Sequence, residues 1–513
     1  MKTFFRTLAL FGLVFAAGAC DLFDEGLDVE NQNAPDQSRA LANAGDVESL
    51  IGSGFRNWFY GFSRVYPAWA LSTAADEGTS SWGNQGMQHI SSEPRVAWAN
   101  STGYTYRGVA QNPWYDLYGV ISAMNDGLRA IDAGIDIGTG GKDNQRAIAF
   151  GKLMQGLAHA YLAVHFDRAF IFTEDMDLES TEFELVDYKT VMTEALTMLD
   201  AAIAEAGKGT FTLPDNWIPM GRTLTNQDVI KIANSYYARL MTAVARTPEE
   251  RTAVNWNTVI SRINAGITDD FGIMLDNTNW TESVKDYTQR FDWFRADYRT
   301  IGPSDISGAY QAWLATPVAD RVDFDMNSLD KRIQSGGPGT GGTDFYYRRA
   351  QNLRADRGTY HFSRYGHSRF LYIRQTNIGW EPLMRTSEMD LLKAEALIRT
   401  NQAAQAVPLI NKSRVARGGL PPADVNGVSG ADCVPKKLFN TAGGCADLWE
   451  TMIYEKRVEL FVVASGLAFW DARGWGILIP GTMLHLPIPA RELETLGMEL
   501  YTFGGVGNEG SAK

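Results

Sequence analysis

Two stretches of the chain concentrate side chains able to hold a polar, ring-bearing ligand. The first spans 76–116 and carries Asp76, Glu77, Trp82, Asn84, Gln85, Trp98, Asn100, Tyr104, Tyr106 and Trp114. The second spans 279–313, with Asn279, Trp280, Trp293, Tyr298 and Trp313, and continues to Tyr346 and Tyr347. Indole and phenol rings stack on flat C–H faces, while amides and carboxylates exchange hydrogen bonds with hydroxyls. This is binding chemistry, suited to an oligosaccharide and also able to clasp a peptide. Large aromatics are mostly buried, so the rings beside loop-forming Gly or Asn are the ones expected at a surface. Trp82 and Trp280 fit that rule best. Asn84, Trp98, Tyr104, Tyr106, Trp293 and Tyr346 complete the candidate ligand set. Trp114, Trp256, Trp449 and Trp475 are expected in the core.

Catalytic and metal chemistry finds less support. The six histidines, His89, His159, His165, His361, His367 and His485, make no HExxH or other short ligand spacing. His159 and His165 fall on different faces of a helix. The segment GTGGKD at 138–143 has Asp143 where a phosphate loop needs Ser or Thr, and GGPGTGGT at 336–343 follows no evident strand. Asp323, Asp325 and Asn327 have the spacing of a calcium loop. Ser328 stands at its turn glycine, however, and Gln334 at its final glutamate. Carboxylate pairs abound, but a glycosidase is defined by their geometry, and no Gly-x-Ser-x-Gly elbow occurs. A non-enzymatic chain without cofactor or metal is expected. The formal charge of −13 argues against nucleic acid, which needs a basic surface.

The N-terminus reads MKTFFRTLALFGLVFAAGAC. Lys2 and Arg6 precede a short apolar run, and Gly18 and Ala19 lead into Cys20. This is a secretory signal over 1–19, too short for a permanent membrane span. Small residues before the cysteine resemble the bacterial lipobox, with Ala17 in place of the usual large aliphatic residue. Cys20 is then the acylated residue, anchoring the chain through lipid, and 20–45 is a polar tether. Export also places Cys433 and Cys445 in an oxidising compartment. A disulfide between them would contribute about 3 kcal/mol by chain entropy, with two free thiols as the alternative.

The elements that must position these residues are mainly helical. Helical spacing is clear over 146–168, 187–206, 226–245 and 252–267. Gly151, Gly156, Ala158 and Ala160 in the first of these permit close approach of a neighbour. Two helices in 387–417 pair around Ala394, Leu397, Ala406 and Ile410, offsets that resemble a tetratricopeptide repeat, although Pro408 would interrupt the second helix beyond its first turn. No strict 34-residue period runs through the chain, so any repeat array is degenerate. Residues 268–385 are rich in Gly, Asp, Arg and aromatics and read as a loop-rich lobe.

The tail is the most specific segment: LWETMIYEKRVELFVVASGLAFWDARGWG from 448, followed by LPIPARE. Glu455 and Glu459 share a helix face, and Asp471, Arg473 and Trp475 follow a Gly466 turn. Together with the Cys20 N-terminus, KLMQGLAHAYLAVHFDRAF, GRTLTNQDVIKIANSYYARLM and SEMDLLKAEALIRT, this tail resembles the SusD/RagB family of outer-membrane nutrient-binding lipoproteins. Ser465 and Ala468 stand where that family usually has an acid and an arginine, a coherent joint loss of a salt bridge. The resemblance implies a mainly α fold of degenerate tetratricopeptide-like helix pairs with a loop-rich ligand-binding lobe. It also implies capture of oligosaccharides or peptides for a SusC-like TonB-dependent transporter at the outer face of the outer membrane. The organisation expected is 46–267 as an N-terminal helical region, 268–385 as the lobe and 386–513 as helix pair and tail, with 46–513 one compact unit. A non-catalytic helical-repeat scaffold of the cell envelope is the competing reading.

Overall fold

The computed structural model describes residues 41–62, 66–176, 181–349, 354–361 and 363–511. The expected signal peptide, Cys20 and nearly all of the tether lie outside them. Helices dominate. The principal ones are α1 (Gly54–Phe62), α2 (Gly108–Asp132), α3 (Asn144–His165), α4 (Tyr188–Gly207), α5 (Asn226–Ala243) and α6 (Trp256–Asn264). They continue with α7 (Thr386–Arg399), α8 (Ala403–Ala416), α9 (Leu448–Glu459) and α10 (Leu467–Trp475). Consecutive members of the series α1 to α9 pack on one another, which is how helix pairs stack in a repeat array. Among the described residues no helix is long and apolar enough to cross a membrane.

Local sequence explains the frame. Asp187 caps α4 by accepting from the Lys189 and Thr190 amides, and Thr225 with Asp228 forms a capping box on α5. Helix α3 is buried along almost its whole length. A Cβ on Gly156 would lie 2.8 Å from a Leu199 methyl and 3.0 Å from the Ala195 carbonyl oxygen, so glycine lets α4 press against it. Pro408 departs from expectation. Helix α8 begins at Ala403 and runs through it, so the proline sits inside the helix.

The tail residues form a buried ionic frame. Arg251 bridges Glu395 on α7 at 2.6 Å and Asp471 on α10 at 2.9 Å, and Lys456 on α9 reaches Asp471 at 2.8 Å. The Trp475 indole N–H donates to Glu395 at 3.1 Å. Arg332 holds Asp330 at 2.7 Å and Glu455 at 2.8 Å, while Glu459 takes Arg417 at 2.7 Å. Arg473 donates to the carbonyls of Val164, Ala243 and Leu484. Buried charge persists only when paired or hydrogen-bonded, so these side chains specify how the helices meet. Cys433 and Cys445 are joined as a disulfide.

The lobe contains short helices and two-stranded ribbons. Strand Phe271–Asp276 pairs antiparallel with Ile378–Met384, so the two ends of the lobe segment return to one ribbon beside the helices. A continuous apolar core includes residues of both the frame and the lobe.

Candidate functional site

Two small ribbons assemble the candidate site. Gly78 and Thr79 pair antiparallel with Ala296 and Arg295, which brings the loop after residue 79 beside the loop before residue 295. A Cβ at Gly78 would fall 1.9 Å from the Phe294 ring, so this approach requires glycine. Nearby, Phe345–Tyr347 pairs with Tyr365–His367, and the latter strand packs against the 295–296 strand. Loops from distant parts of the chain therefore meet on one face.

The half-buried Trp82 donates its indole N–H to the Asp292 carbonyl at 2.8 Å. Exposed Asn84 donates its amide to the Tyr287 hydroxyl at 3.3 Å. Tyr287 stacks on Trp69 with centroids 4.1 Å apart and meets half-buried Trp293 at 4.9 Å. Arg290 lies 4.4 Å over the Trp293 ring and is held by Asp286 at 2.9 Å. On the far side of Asp292, Tyr346 packs on Phe291 at 5.8 Å and Arg348 lies 5.2 Å over Phe291. The Tyr106 hydroxyl lies over Gly83. Trp82, Asn84, Tyr106, Trp293 and Tyr346 thus share one surface ridge of half-buried rings, amides and guanidiniums.

The remaining candidates are placed elsewhere. Trp280, a leading expectation, is only 5% exposed and packs on Phe55 and Phe59 of α1. Trp98 is 2% exposed, edge-on to Tyr104 at 5.0 Å and beside His89. Both rings belong to the core: each finds an aromatic nest that its loop neighbours in sequence do not reveal. Tyr104 engages its hydroxyl with His89 Nδ1. Asp76 and Glu77 are buried as well. Asp76 takes Arg95 at 2.9 Å, and Glu77 accepts from Ser72 at 2.6 Å and from the Val462 amide at 2.7 Å. Asn100 ties the LPIP segment by bonding the backbone of Ile488, Ala490 and Tyr501. Tyr298 and Trp313 are core, as are Trp114, Trp256 and Trp475.

Tyr287, Arg290, Phe291, Asp292, Arg348 and Arg374 escaped the sequence reading. The run RFDW at 290–293 carried a partial signal: Arg290 and Asp292 reach the surface as charged residues do, while Phe291 between them is buried.

Comparison with known proteins follows from this frame. No family model matches the sequence, and no curated protein matches it. Solved structures do. A SusD superfamily protein from Bacteroides vulgatus superposes with TM-score 0.57 at 13% identity, over 89% of this chain and 97% of its own. A SusD-like carbohydrate binding protein from Bacteroides fragilis gives 0.52 at 14% identity, over 86% and 87%. A SusD superfamily protein from Bacteroides thetaiotaomicron gives 0.52 at 15% identity, over 89% and 97%. This chain has the SusD-type fold.

Burial favours the neutral phenol at two tyrosines of the lobe. Burial pushes Tyr287 up to about 12 despite the hydrogen bonds from Asn84 and Ser80. Burial also raises Tyr346, against the pull of Arg374 and Arg348. The half-buried Tyr346 can donate its hydroxyl to a ligand and also accept with it. The calcium-like residues Asp323 and Asp325 are instead bound by Arg364 at 2.8 and 2.6 Å. No cluster of three or more His, Cys, Asp or Glu among the described residues could hold a metal.

Two cavities lie away from the ridge, along α2. One of about 290 Å³ is lined by Trp114, Tyr118, Phe170, Phe172, Arg129 and Glu492. The other, about 680 Å³ and more open, lies between Tyr60, Tyr66, Asn112 and Asp116. Tyr115 borders both. None of the expected ligand residues lines either one.

Proposed function

We propose that this protein captures oligosaccharides at the cell surface and delivers them to a SusC-like TonB-dependent transporter, held to the outer membrane through acylated Cys20 and performing no catalysis. The observation that carries the reading is the pair of half-buried rings Trp82 and Trp293 with Asn84 beside them, seated on the buried Tyr287. An extended glycan needs an open platform of rings flanked by hydrogen-bonding groups. The SusD-type frame supports the same reading, since a protein of this fold is described as a carbohydrate binding protein. The lipobox-like N-terminus supports export and anchoring.

The test is affinity electrophoresis and calorimetry over a panel of glycans and peptides, with Trp82→Ala and Trp293→Ala alongside the parent. At least one glycan class is expected to bind, and each variant to weaken it about tenfold, the scale of one aromatic anchor. Unchanged binding in both variants would move the site off the ridge. Peptide binding without glycan binding would replace the ligand class, and uniform silence would favour an envelope scaffold. Anchoring is read separately. The expressed protein should partition with membranes, and Cys20→Ser should release it; a membrane-free parent would sink the anchored reading.

A further inference from the structure

The chain carries 60 acidic against 47 basic residues, yet the rim of the ridge is set with arginine. Arg348 and Arg374 are exposed and lie close enough to Tyr346 to oppose the effect of burial on its hydroxyl. Arg348 meets a carboxylate only at 3.7 Å, from Asp292, with the two side chains 54% and 56% exposed. Such a pair contributes little. Arg374 makes no ion pair among the described residues and gives one N–H to the Gln289 carbonyl at 3.3 Å. Arg357, at the Trp82 end, likewise has no acidic partner among them and donates to the Ser81 carbonyl at 2.7 Å. A guanidinium has five N–H donors in a fixed fork, so one backbone contact leaves most of it open.

We propose that this ridge prefers anionic glycans, with carboxylate or sulfate groups pairing to Arg348, Arg374 and Arg357 while the sugar rings rest on Trp82 and Trp293. The proposal rests on the glycan-binding reading above and names its ligand class. Planar bidentate recognition of an oxyanion is the chemistry at which arginine excels, and charge-assisted hydrogen bonds are about twice as strong as neutral ones. Such groups need no deep pocket. Their placement at both ends of the aromatic ridge suits a charged polymer lying along it. A neutral glycan would gain only ordinary hydrogen bonds from the same side chains.

The experiment uses the whole mature protein with three matched oligosaccharide sets, neutral, uronate-bearing and sulfated, together with an acidic peptide, at low and high salt. Uronate or sulfate forms are expected to bind about tenfold tighter than the neutral analogue, with the advantage shrinking in high salt. The two anionic sets distinguish carboxylate from sulfate as the preferred group. The double variant Arg348→Gln with Arg374→Gln should cut anionic binding about tenfold and shrink the anionic preference over the neutral analogue to about twofold or less. Arg357→Gln, read by itself, should weaken only ligands long enough to reach Trp82. Neutral glycans binding as tightly as anionic ones, or a double variant without effect, would overturn the preference and leave the glycan site standing. Failure of every glycan would overturn the site reading itself. Preference for the acidic peptide over all glycans would overturn both.

Discussion

Arg251 and Arg348 carry the same guanidinium into opposite surroundings. Arg251 is wholly buried between Glu395 and Asp471, beneath the helices that the tail joins. Arg348 lies on the lobe, more than half exposed, with one distant carboxylate. The first would be intolerable without its partners, because an unpaired buried charge costs several kcal/mol. The second bears no such cost, since water solvates it, and it stays available to a ligand. Residue type alone therefore says nothing about role here. Burial and pairing separate the arginines that fix helix geometry from those free to recognise something.

Removing one partner from the buried set should cost the most. Burial alone would raise Glu395, but Arg251, Lys456 and Arg399 outweigh it and hold the carboxyl down to about 2. A lowered carboxyl contributes stability above its unfolded value near 4.5, and that contribution is lost as pH falls toward about 2. Glu395→Ala leaves Arg251 with Asp471 alone, a carboxylate already shared with Lys456, and takes the acceptor from the Trp475 indole. The expected cost is about 3–5 kcal/mol by chemical denaturation at neutral pH. A loss below about 1 kcal/mol would mean that the frame tolerates an under-paired charge and that the contrast drawn here is empty.

The frame was legible in sequence where the signal is local or periodic. Helices α3 to α8 announce themselves by spacing and caps, and the order of tail residues predicted a charged helix pinned to an Asp/Arg/Trp corner. Lys456 to Asp471 is that contact. The site was legible by half. Trp82, Asn84 and Trp293 were nominated and do share a ridge; Trp82 stands beside Gly83 and Trp293 beside the exposed Asp292, neighbours that favour a surface. Trp280 misled, since Asn279 beside it suggested a loop surface. Its burial depends on Phe55 and Phe59, which only the folded chain brings near. The meeting of the 80s loop with the 290s loop was invisible as well. It depends on a two-residue ribbon and on the absence of a side chain at Gly78, neither of which leaves a pattern. The pairing state of each arginine is a tertiary property too.

Between the two extremes sits a buried cluster in the lobe. Glu282 accepts the Val284 and Lys285 amides at 2.6 and 2.7 Å, and Lys285 is ion-paired with Glu381. Burial, and then repulsion from Glu381, push Glu282 up to about 8, and burial pushes Glu381 up to about 7. For a raised acid, the folded state holds a proton that the unfolded chain has released. The stability from that proton is complete below the unfolded value near 4.5 and is lost as pH rises toward about 8. Stability should therefore decline across that window, and Glu282→Gln should flatten the decline when unfolding is measured at several pH values. An identical slope in parent and variant would show that this cluster stays ionised when buried, erasing the distinction between its surroundings and the protein surface.

The smallest effect comes from a pair that looks as good on paper as the buried ones. Lys412 on α8 reaches Asp390 on α7 at 2.9 Å, close to the 2.6 Å from Arg251 to Glu395. Its lysine is 61% exposed, so water competes for both ions and the long side chain must surrender rotamer freedom to hold the contact. Lys412→Ala is expected to change unfolding free energy by no more than about 0.5 kcal/mol, and by less in high salt, where screening acts within about 10 Å. Distances within 0.3 Å of each other with a several-fold difference in cost would point to burial as the deciding variable. A Lys412→Ala loss comparable to that of Glu395→Ala would instead make distance the better guide, and Arg348, with its carboxylate at 3.7 Å, would then have to be counted among the paired arginines.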